Sequence, residues 1–234
     1  YATTRYREAE LAASVDMVWA DSPVNLARVR TMSDHVVAMA GGVDVALFAR
    51  ARRPPAEPPA HPLCAYFGTI GISTDLDLLR QVSHRYPLRL IGPVRGSLEG
   101  FAAETEVTGA VPQERLPELL RDVDVLLLPY AQSLHNESVL PAKLFECLAT
   151  GKPSIVSGLA SLTEYADLFY ICDSAAAFLG QIAAAVHEPP DRRAARIACA
   201  ERNSYDQLFT DIEGYFDDIL GHKARPQALL DSRP

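Results

Sequence analysis

No stretch of the 234-residue sequence approaches the roughly 18 to 20 consecutive apolar residues that a membrane-spanning helix requires. The N-terminal segment also lacks the apolar core of a secretory signal peptide. Basic residues are few, with 22 Lys and Arg against 30 Asp and Glu and a net charge of −8. This balance argues against a nucleic-acid partner, because phosphate backbones are bound by basic surfaces. The one basic cluster, at residues 50–53, is typical of a solvated linker, with contact to an anionic surface as the alternative.

Metal-ligand spacing is missing as well. The cysteines, at positions 64, 147, 172 and 199, form no CxxC pair, and the six histidines show no spacing suited to zinc. Because three of the cysteines lie within apolar runs, we interpret them as small buried side chains in a reducing compartment. The sequence therefore predicts a cytoplasmic protein with no built-in metal site.

Residues 1–48 form the first predicted unit. Helices are predicted over Thr4–Ala13 and Pro23–Arg30, the second capped by Ser22, and strands over Val15–Ala20 and Val36–Ala40. The chain starts without methionine and inside a helical pattern, so we expect a truncated or processed protein. Five prolines between residues 50 and 62 predict a linker over residues 49–62.

From residue 63 onward, short apolar runs alternate with helical patterns. Continuous runs such as Val125–Pro129 are typical of parallel strands that are buried on both faces. The predicted strands are Cys64–Gly68, Leu88–Gly92, Glu106–Gly109, Val123–Pro129, Ser154–Ser157 and Leu168–Ile171. The predicted helices are Asp75–Arg85, Leu116–Arg121, Leu140–Thr150, Leu162–Ala166 and Ala175–His187. This order predicts an α/β fold with a doubly wound, parallel, Rossmann-like sheet over residues 63–190, followed by helices in residues 191–234.

Ligands of such a sheet bind beyond the C-terminal ends of its strands, where the strand order reverses. Gly68 and Thr69 follow the first of these strands, and a glycine there lets a phosphate or a sugar approach the backbone closely. Val111 follows the third strand, in a short apolar loop against which a nucleobase could lie. Ordinary tight turns are the alternative interpretation of both loops.

The predicted helix Leu140–Thr150 carries the most informative pattern. Pro141 suits the first helical position, and Gly151 suits the position just past the end. Lys143 and Glu146 are three residues apart and so share a face. An ammonium group beside a helix N-terminus can bind an anion, and a carboxylate one turn further on can accept both hydroxyls of a ribose. A surface ion pair between the two residues is the alternative.

Taken in order, these segments and several others resemble the C-terminal half of GT-B glycosyltransferases, close to the retaining family 4 type and its bacterial polysaccharide-building members. The resemblance covers nearly the whole chain, and the segment from Lys143 to Pro153 is its most specific part. The segments that carry it are Asp16–Ala20 with Ser22, Gly42–Asp44 with Phe48, Gly68–Thr69, Leu90–Gly92, Val107–Gly109, Asp124–Pro129, Lys143–Glu146 and Thr150–Pro153.

The resemblance implies a fold of two facing Rossmann-like domains, of which residues 1–48 would be a remnant of the N-terminal, acceptor-binding domain. The helices of residues 191–234 would cross back to that domain. It also implies that the C-terminal domain binds a nucleoside-diphosphate sugar. Glu146 would bind the ribose, and Val111 would lie near the base. The backbone of Ser138, Val139 and Leu140 would hold the pyrophosphate, with Gly68 and Thr69 facing the phosphates or the sugar. Lys143 matches the lysine of the family's PxK variant.

Two departures from the family pattern affect the catalytic assignment. Family 4 members usually carry a second glutamate eight residues before Glu146, where this sequence has Ser138 and Glu137 stands one residue away. The usual basic residue after the first strand of the sheet is absent, since Ser73, Thr74 and Asp75 occupy that region. Glu137 and Lys143 are therefore the catalytic candidates, and no catalytic residue is assigned.

The function expected from the resemblance is transfer of a sugar from a UDP-, GDP- or other nucleotide-sugar donor to a glycan or lipid-linked acceptor. No cofactor is expected, because amides, a helix dipole and Lys143 would stabilise the leaving diphosphate without a metal. The missing N-terminal domain or a partner chain would complete the cleft, in the cytoplasm or at the inner face of the membrane. A non-catalytic nucleotide-binding subunit and a nucleotide-sugar epimerase on the same scaffold are the alternatives.

Overall fold

The computed structural model describes the backbone of residues 2–54, 57–133, 136 and 140–230, and the side chains of these residues except 2–6, 160, 161, 163 and 222–230. The chain forms two compact units. Residues 44–201 make the larger one, and residues up to 43 together with those from 202 onward make the smaller one. None of the described helices is both long enough and apolar enough to cross a membrane.

The larger unit alternates strands with helices, as the sequence predicts. Its strands are β3 (Cys64–Phe67), β4 (Leu88–Ile91), β5 (Glu106–Gly109), β6 (Val125–Pro129), β7 (Ser154–Ser157) and β8 (Tyr170–Ile171). Its helices are α3 (Val45–Ala49), α4 (Leu76–Ser83), α5 (Leu116–Leu120), α6 (Lys143–Thr150), α7 (Ala175–Ala185) and α8 (Pro190–Arg202). Short 3-10 turns cover Gln113–Arg115 and Ala160–Tyr165.

The six strands form one parallel sheet in the order β5-β4-β3-β6-β7-β8. The chain therefore builds outward from β3 to β5 and then crosses back to place β6 on the other side of β3. The loops after β3 and β6 leave the sheet in opposite directions, which opens a crevice between them. The predicted doubly wound, Rossmann-like α/β fold is confirmed.

Burial on both faces explains why the central strands are continuous apolar runs. All residues of β3 and β6 are buried. On one face Tyr66, Leu90 and Leu127 pack in a core that includes Leu79 of α4 and Phe178 of α7. Intervening strand residues such as Phe67 and Leu128 are buried as well. On this burial pattern an alternating polar and apolar sequence would not have been stable in these strands.

Helix boundaries follow the predicted capping residues at most ends. Ser22 accepts a hydrogen bond from the amide of Asn25, and Gly151 ends α6 in the left-handed conformation with φ +71°. The start of α6 differs from the prediction. The amide of Leu144 bonds to the carbonyl of Pro141, a tight first turn, and the α-helix proper begins at Lys143 rather than near Pro141.

Other predicted elements are shorter or of another type than the sequence indicates. The predicted strand Leu168–Ile171 is reduced to β8, because the amides of Leu168 and Phe169 bond to the carbonyl of Tyr165 in a turn. The predicted helix Leu162–Ala166 is a 3-10 turn over Ala160–Tyr165. The predicted strand Val15–Ala20 shortens to Val18–Ala20, where its pairing partner is available.

The smaller unit contains a two-stranded parallel sheet of β1 (Val18–Ala20) and β2 (Val36–Ala38). Its helices are α1 (Ala2–Ser14), α2 (Pro23–Val29) and α9 (Tyr205–Leu230). The amide of Val43 bonds to the carbonyl of Asn203, and the amide of Tyr205 bonds back to Val43, so this unit is closed by both of its chain segments. Trp19 of β1 contacts Phe216 of α9 edge-to-face, with ring centroids 6.4 Å apart.

The division between the units falls at residues 43/44 and 201/202, whereas the sequence-based division places it at 48/49 and 190/191. The difference has a packing origin. Phe48 of α3 is fully buried, and α3 packs against α5 and α6. Arg196 of α8 is fully buried and donates hydrogen bonds to the carbonyls of Gly151 and Leu168. Both helices therefore belong to the larger unit.

Lys152 is a buried cation at the edge of the sheet where β7 begins. Its side chain is 6% exposed, and Nζ donates hydrogen bonds to the carbonyls of Val123 at 2.7 Å and Arg121 at 3.1 Å. Burial lowers the pKa of Lys152 to about 8, with a further contribution from Arg53. Two carbonyl acceptors suit either protonation state, since a neutral amine still has two protons to donate.

We expect Lys152 to contribute a stabilisation that grows between pH 8 and pH 10, whereas the raised pKa values of the buried Cys64 and Cys147 thiols act in the opposite direction. In that range an unfolded lysine keeps its proton while the folded one loses it, so the unfolded state binds more protons and rising pH favours the folded state. The gain is on the order of 2 kcal/mol. Urea unfolding at both pH values, followed by circular dichroism, measures it. The difference in stability between the native protein and Lys152→Met should grow in favour of the native protein over this range, and an identical change in both proteins would contradict the assignment.

Candidate functional site

A cleft of about 400 Å³ opens at the C-terminal edge of the sheet, beside the point where the strand order reverses. Its lining comes from the ends of β3, β4, β5 and β6 and from the first turns of α6. The residues are Phe67, Gly68, Ile91, Gly92, Pro93, Ala110, Val111, Gln113, Leu116, Tyr130, Pro141, Ala142, Lys143 and Glu146. This is where the topology predicts a ligand.

Two glycines with positive φ form the floor of the cleft. Gly68 directly follows β3 and has φ +123°, and Gly92 directly follows β4 and has φ +136°. A Cβ on Gly92 would collide with the carbonyl oxygen of Gly68, and a Cβ on Gly68 would collide with Nζ of Lys143. Only glycine fits at either position, and the bare backbone leaves room for a ligand above it.

Lys143 reaches across the cleft floor from α6. Its Nζ donates to the carbonyl of Phe67 at 2.8 Å and to the Tyr66 hydroxyl at 3.3 Å. The ammonium group also lies 4.5 Å from the ring centroid of Tyr66 and 5.5 Å from that of Tyr130. These contacts hold a positive charge directly over Gly68. Among the described lining residues, Lys143 is the single cation.

Glu146 occupies the other end of the cleft, one turn further along α6. Its Oε1 accepts a hydrogen bond of 2.7 Å from Nε2 of Gln113. Burial raises the pKa of Glu146, while the Gln113 hydrogen bond and the charge of Lys143 act in the opposite direction. Lys143 and Glu146 share a face as predicted, yet each bonds to a different element. The predicted alternative, an ion pair between them, is not among the contacts of the described residues.

The two loops that frame the cleft are fixed by internal hydrogen bonds. The Tyr66 hydroxyl donates to the carbonyl of Thr69 and lies 2.9 Å from the hydroxyl of Thr74, which closes the loop after β3. Asn136 is 1% exposed, and its amide donates to the carbonyls of Ser73 and Ala131, which ties the loop after β6 to the loop after β3. The walls of the cleft are thus pre-formed at these points.

The N-terminus of α6 faces the cleft without a described side chain that caps it. Its N-cap is Ala142, whose methyl group cannot accept a hydrogen bond from an amide of the first turn. Ala142 and Lys143 both line the cleft. The helix dipole and the Lys143 ammonium together favour a negatively charged group at this point.

Apolar residues line the cleft on the side of β4 and β5. They are Ile91, Pro93, Ala110, Val111 and Leu116. A flat, weakly polar ring system can bury its faces against such a wall, while the polar groups at the α6 side bind its substituents. The cleft therefore has an apolar end beside Gln113 and Glu146 and a cationic end at Gly68 and Lys143.

The structure brings four of the predicted site residues together: Gly68, Val111, Lys143 and Glu146 all line the cleft. Thr69 is exposed beside it, and its carbonyl is engaged by Tyr66 and Thr74. Leu140 is half-buried and outside the lining. The predictions for Glu137, Ser138 and Val139 lie outside the described residues.

Sequence reasoning did not assign Tyr66, Gly92, Gln113, Tyr130 or Asn136 to the site. Gly92 carries a usable signal, because a glycine directly after a buried strand often marks a close approach of backbone or ligand. Tyr66 lies in β3 and Tyr130 directly follows β6. In the sequence nothing distinguishes either tyrosine from a core residue. The described residues contain no group of three or more His, Cys, Asp or Glu side chains that could hold a metal ion.

Comparison of the fold with solved structures defines the class. The chain superimposes on HepE from Anabaena in complex with UDP-glucose with a TM-score of 0.68 at 14% identity, covering 93% of this chain and 68% of HepE. It matches the lipopolysaccharide outer core galactosyltransferase WaaB with a TM-score of 0.64 at 16% identity, covering 89% of this chain and 62% of WaaB. The chain has the Rossmann-like fold of GT-B glycosyltransferases, and the resemblance stated from the sequence is confirmed for the fold.

Sequence comparison gives a narrower match. A segment of 57 residues is 39% identical to TuaH of Bacillus subtilis (strain 168). TuaH is named as a glycosyltransferase of teichuronic acid biosynthesis, and that activity is itself inferred. That segment is 24% of this chain and 14% of TuaH. No model of a known protein family matches the sequence. The chain spans about two thirds of the length of the matched structures and a small part of TuaH.

Proposed function

We propose that this chain is the donor-binding half of a retaining glycosyltransferase and that its cleft binds a nucleoside-diphosphate sugar. The observation that carries the proposal is the placement of two functional groups on one face of α6. Lys143 holds a positive charge over the Gly68 turn, and Glu146 presents a carboxylate at the apolar end of the same cleft. A ligand with a diphosphate in its middle and a nucleoside at one end matches this distribution of charge.

The nucleoside fits the apolar end. The Glu146 carboxylate would accept hydrogen bonds from the ribose hydroxyls, and the base would lie against Val111 and Leu116. UDP and GDP are the proposed carriers. That HepE, which has the same fold, was crystallised with UDP-glucose supports UDP.

The diphosphate fits the cationic end. As the bond to the sugar breaks, negative charge develops on the leaving diphosphate, and the Lys143 ammonium and the dipole of α6 are already in place to stabilise it. These groups would carry the charge stabilisation without a metal ion or another cofactor. Glu137 remains a second catalytic candidate, proposed from the sequence alone.

The acceptor is proposed to be a glycan or a lipid-linked glycan, in the cytoplasm or at the inner face of the membrane. An N-terminal acceptor domain, or a partner chain that replaces it, would supply the other wall of the active site. Transfer by this fold depends on positioning across both walls, so residues 1–234 are expected to bind a donor but to transfer sugar poorly.

Calorimetric titration of the chain with UDP, GDP and ADP in the presence of EDTA tests the proposal. We expect one nucleotide to bind at micromolar strength and Glu146→Gln to weaken it about tenfold, because one charge-assisted hydrogen bond is lost. Glu118→Gln is the matched control, since Glu118 is an exposed carboxylate paired with Arg50 and Arg115. Its affinity should equal that of the native chain.

The outcomes separate the candidate functions. No binding of any nucleotide would refute a donor site in this chain. Binding followed by transfer, once an N-terminal half is fused to the chain, supports the transferase. Binding without transfer in the fused protein would favour the non-catalytic subunit, and isomerisation of a bound nucleotide sugar would favour the epimerase.

A further inference from the structure

Gln113 is a polar residue of the cleft that none of the roles above uses. It begins the 3-10 turn Gln113–Arg115 after β5, directly behind Pro112. Its side chain is exposed at the mouth of the cleft, yet it is held by the 2.7 Å hydrogen bond to Oε1 of Glu146 on α6. The two residues are 33 positions apart in the sequence, so the contact exists only when β5 and α6 are in place.

The contact with Gln113 favours the ionised form of the Glu146 carboxylate, which burial disfavours. A carboxylate must be ionised to accept hydrogen bonds from two hydroxyl groups, and burial in the cleft favours its neutral form. Among the described residues the charged group that acts on it is Lys143, on the same helix. The Gln113 amide, in the 3-10 turn after β5, donates a hydrogen bond to the Glu146 carboxylate and so favours its ionised form. Gln113 therefore favours the ionised carboxylate from an element other than that of Lys143.

The contact also fixes direction. Because Gln113 occupies Oε1, the carboxylate cannot rotate freely, and Oε2 is left for a ligand. Gln113 lines the cleft together with Val111 and Leu116, where the nucleoside is proposed to lie.

We propose that Gln113 is a positioning residue, which acts through Glu146 by fixing its carboxylate toward the ribose of a bound nucleotide. The inference rests on the proposed function, since it presumes that Glu146 binds the ribose. It assigns a role in nucleotide binding to a residue outside α6. Removal of the Gln113 amide should weaken nucleotide binding in a pH-dependent manner.

A structural role alone would produce a different result. Gln207 of α9 makes the same kind of bond, from its Nε2 to Oδ1 of Asp211 at 2.8 Å, on an exposed helix surface. Gln207→Leu removes an amide–carboxylate hydrogen bond of nearly equal length in the other unit of the chain. It serves as the matched control for Gln113→Leu.

The experiment combines two measurements on the intact chain. Carbon-13 NMR of the side-chain carboxyl of Glu146 in the ligand-free protein follows its titration. Calorimetry at one pH between the midpoints measured for the native chain and the variant, and at one pH above both, follows binding of whichever of UDP, GDP or ADP the native chain binds. We expect Gln113→Leu to raise the titration midpoint of Glu146. We also expect about tenfold weaker nucleotide binding at a pH between the two midpoints and a smaller loss above both, where the carboxylate is ionised in both proteins.

Each result decides one question. An unchanged titration midpoint in Gln113→Leu overturns the proposal, and so does a shifted midpoint with unchanged affinity. An equal loss of affinity at both pH values, or the same loss in Gln207→Leu, assigns Gln113 a structural role only. A native chain that binds none of the three nucleotides refutes the proposed function, and that result is recognised without any variant.

Discussion

Lys143→Met is expected to weaken binding of a nucleoside diphosphate by about 100-fold while leaving the fold intact. Phosphate is bound through charge-assisted hydrogen bonds, and removing one partner of a desolvated charge pair typically costs ~2–5 kcal/mol. Lys143 is the single cation among the described residues that line the cleft, so none of the others can replace its charge. Methionine is similar in length and can still pack between Tyr66 and Tyr130.

Comparing two ligands isolates the phosphate contribution. Binding of UDP and of uridine is measured by calorimetry or by NMR titration, for the native chain and for the variant. The variant should lose affinity for UDP and retain that for uridine, because uridine has no charge to pair with Lys143. Arg85→Met, which removes an exposed positive charge, controls for the change in net charge. If both variants weaken UDP equally, the effect is long-range electrostatics and the proposed role of Lys143 is wrong.

Gly92→Ala is expected to lower the free energy of unfolding by about 3 kcal/mol or more. Two effects add at this position. The backbone has φ +136°, which L side chains rarely adopt, and the new Cβ would collide with the carbonyl oxygen of Gly68. Gly68 and Gly92 both line the cleft, so relief of the collision by backbone movement would also distort the site. Nucleotide binding should be lost together with stability.

Two other glycines separate the causes. Gly109 has φ +72° but nothing within 4 Å of an added Cβ, so Gly109→Ala should cost about 1 kcal/mol from backbone strain alone. Gly180, within α7, has neither positive φ nor a neighbour within 4 Å, and Gly180→Ala should stabilise the helix by ~0.5–1 kcal/mol. Urea unfolding of the three variants measures the series. A cost for Gly92→Ala no greater than that for Gly109→Ala would show that the collision is relieved cheaply.

The sheet could be predicted from the sequence because its cause is local. Strands buried on both faces must be apolar throughout, and helices between them show a repeat of three to four residues. The four residues Val125 to Leu128 and the helix between Lys143 and Gly151 follow these rules. Strand ends were less well predicted. The amide of Leu168 bonds to the carbonyl of Tyr165 in a turn, and no local sequence pattern indicates this turn.

The site could be predicted where a local pattern marks its residues, as for Gly68 and Val111 in loops after strands and for Lys143 and Glu146 on one helix. Lys143 and Glu146 were found together because helical spacing places them on the same face. Gln113 was missed because its partner is on another element, and a lone glutamine in a loop has no pattern. Tyr66 was missed because its ring is part of the core while its hydroxyl serves the loop after β3. Such roles depend on tertiary contacts, which a single sequence does not reveal.

The strand order has a consequence for folding kinetics. The central pair joins β3 to β6, with Cys64 opposite Val125, so about 60 residues must be looped out before this contact forms. The cleft takes its walls from β3, β4, β5, β6 and α6, and none of these segments encloses it alone. Parallel pairing of such distant segments is slow, because the entropy of loop closure is lost before the contacts compensate for it. Binding competence is therefore acquired late, when nearly all of the larger unit has already folded.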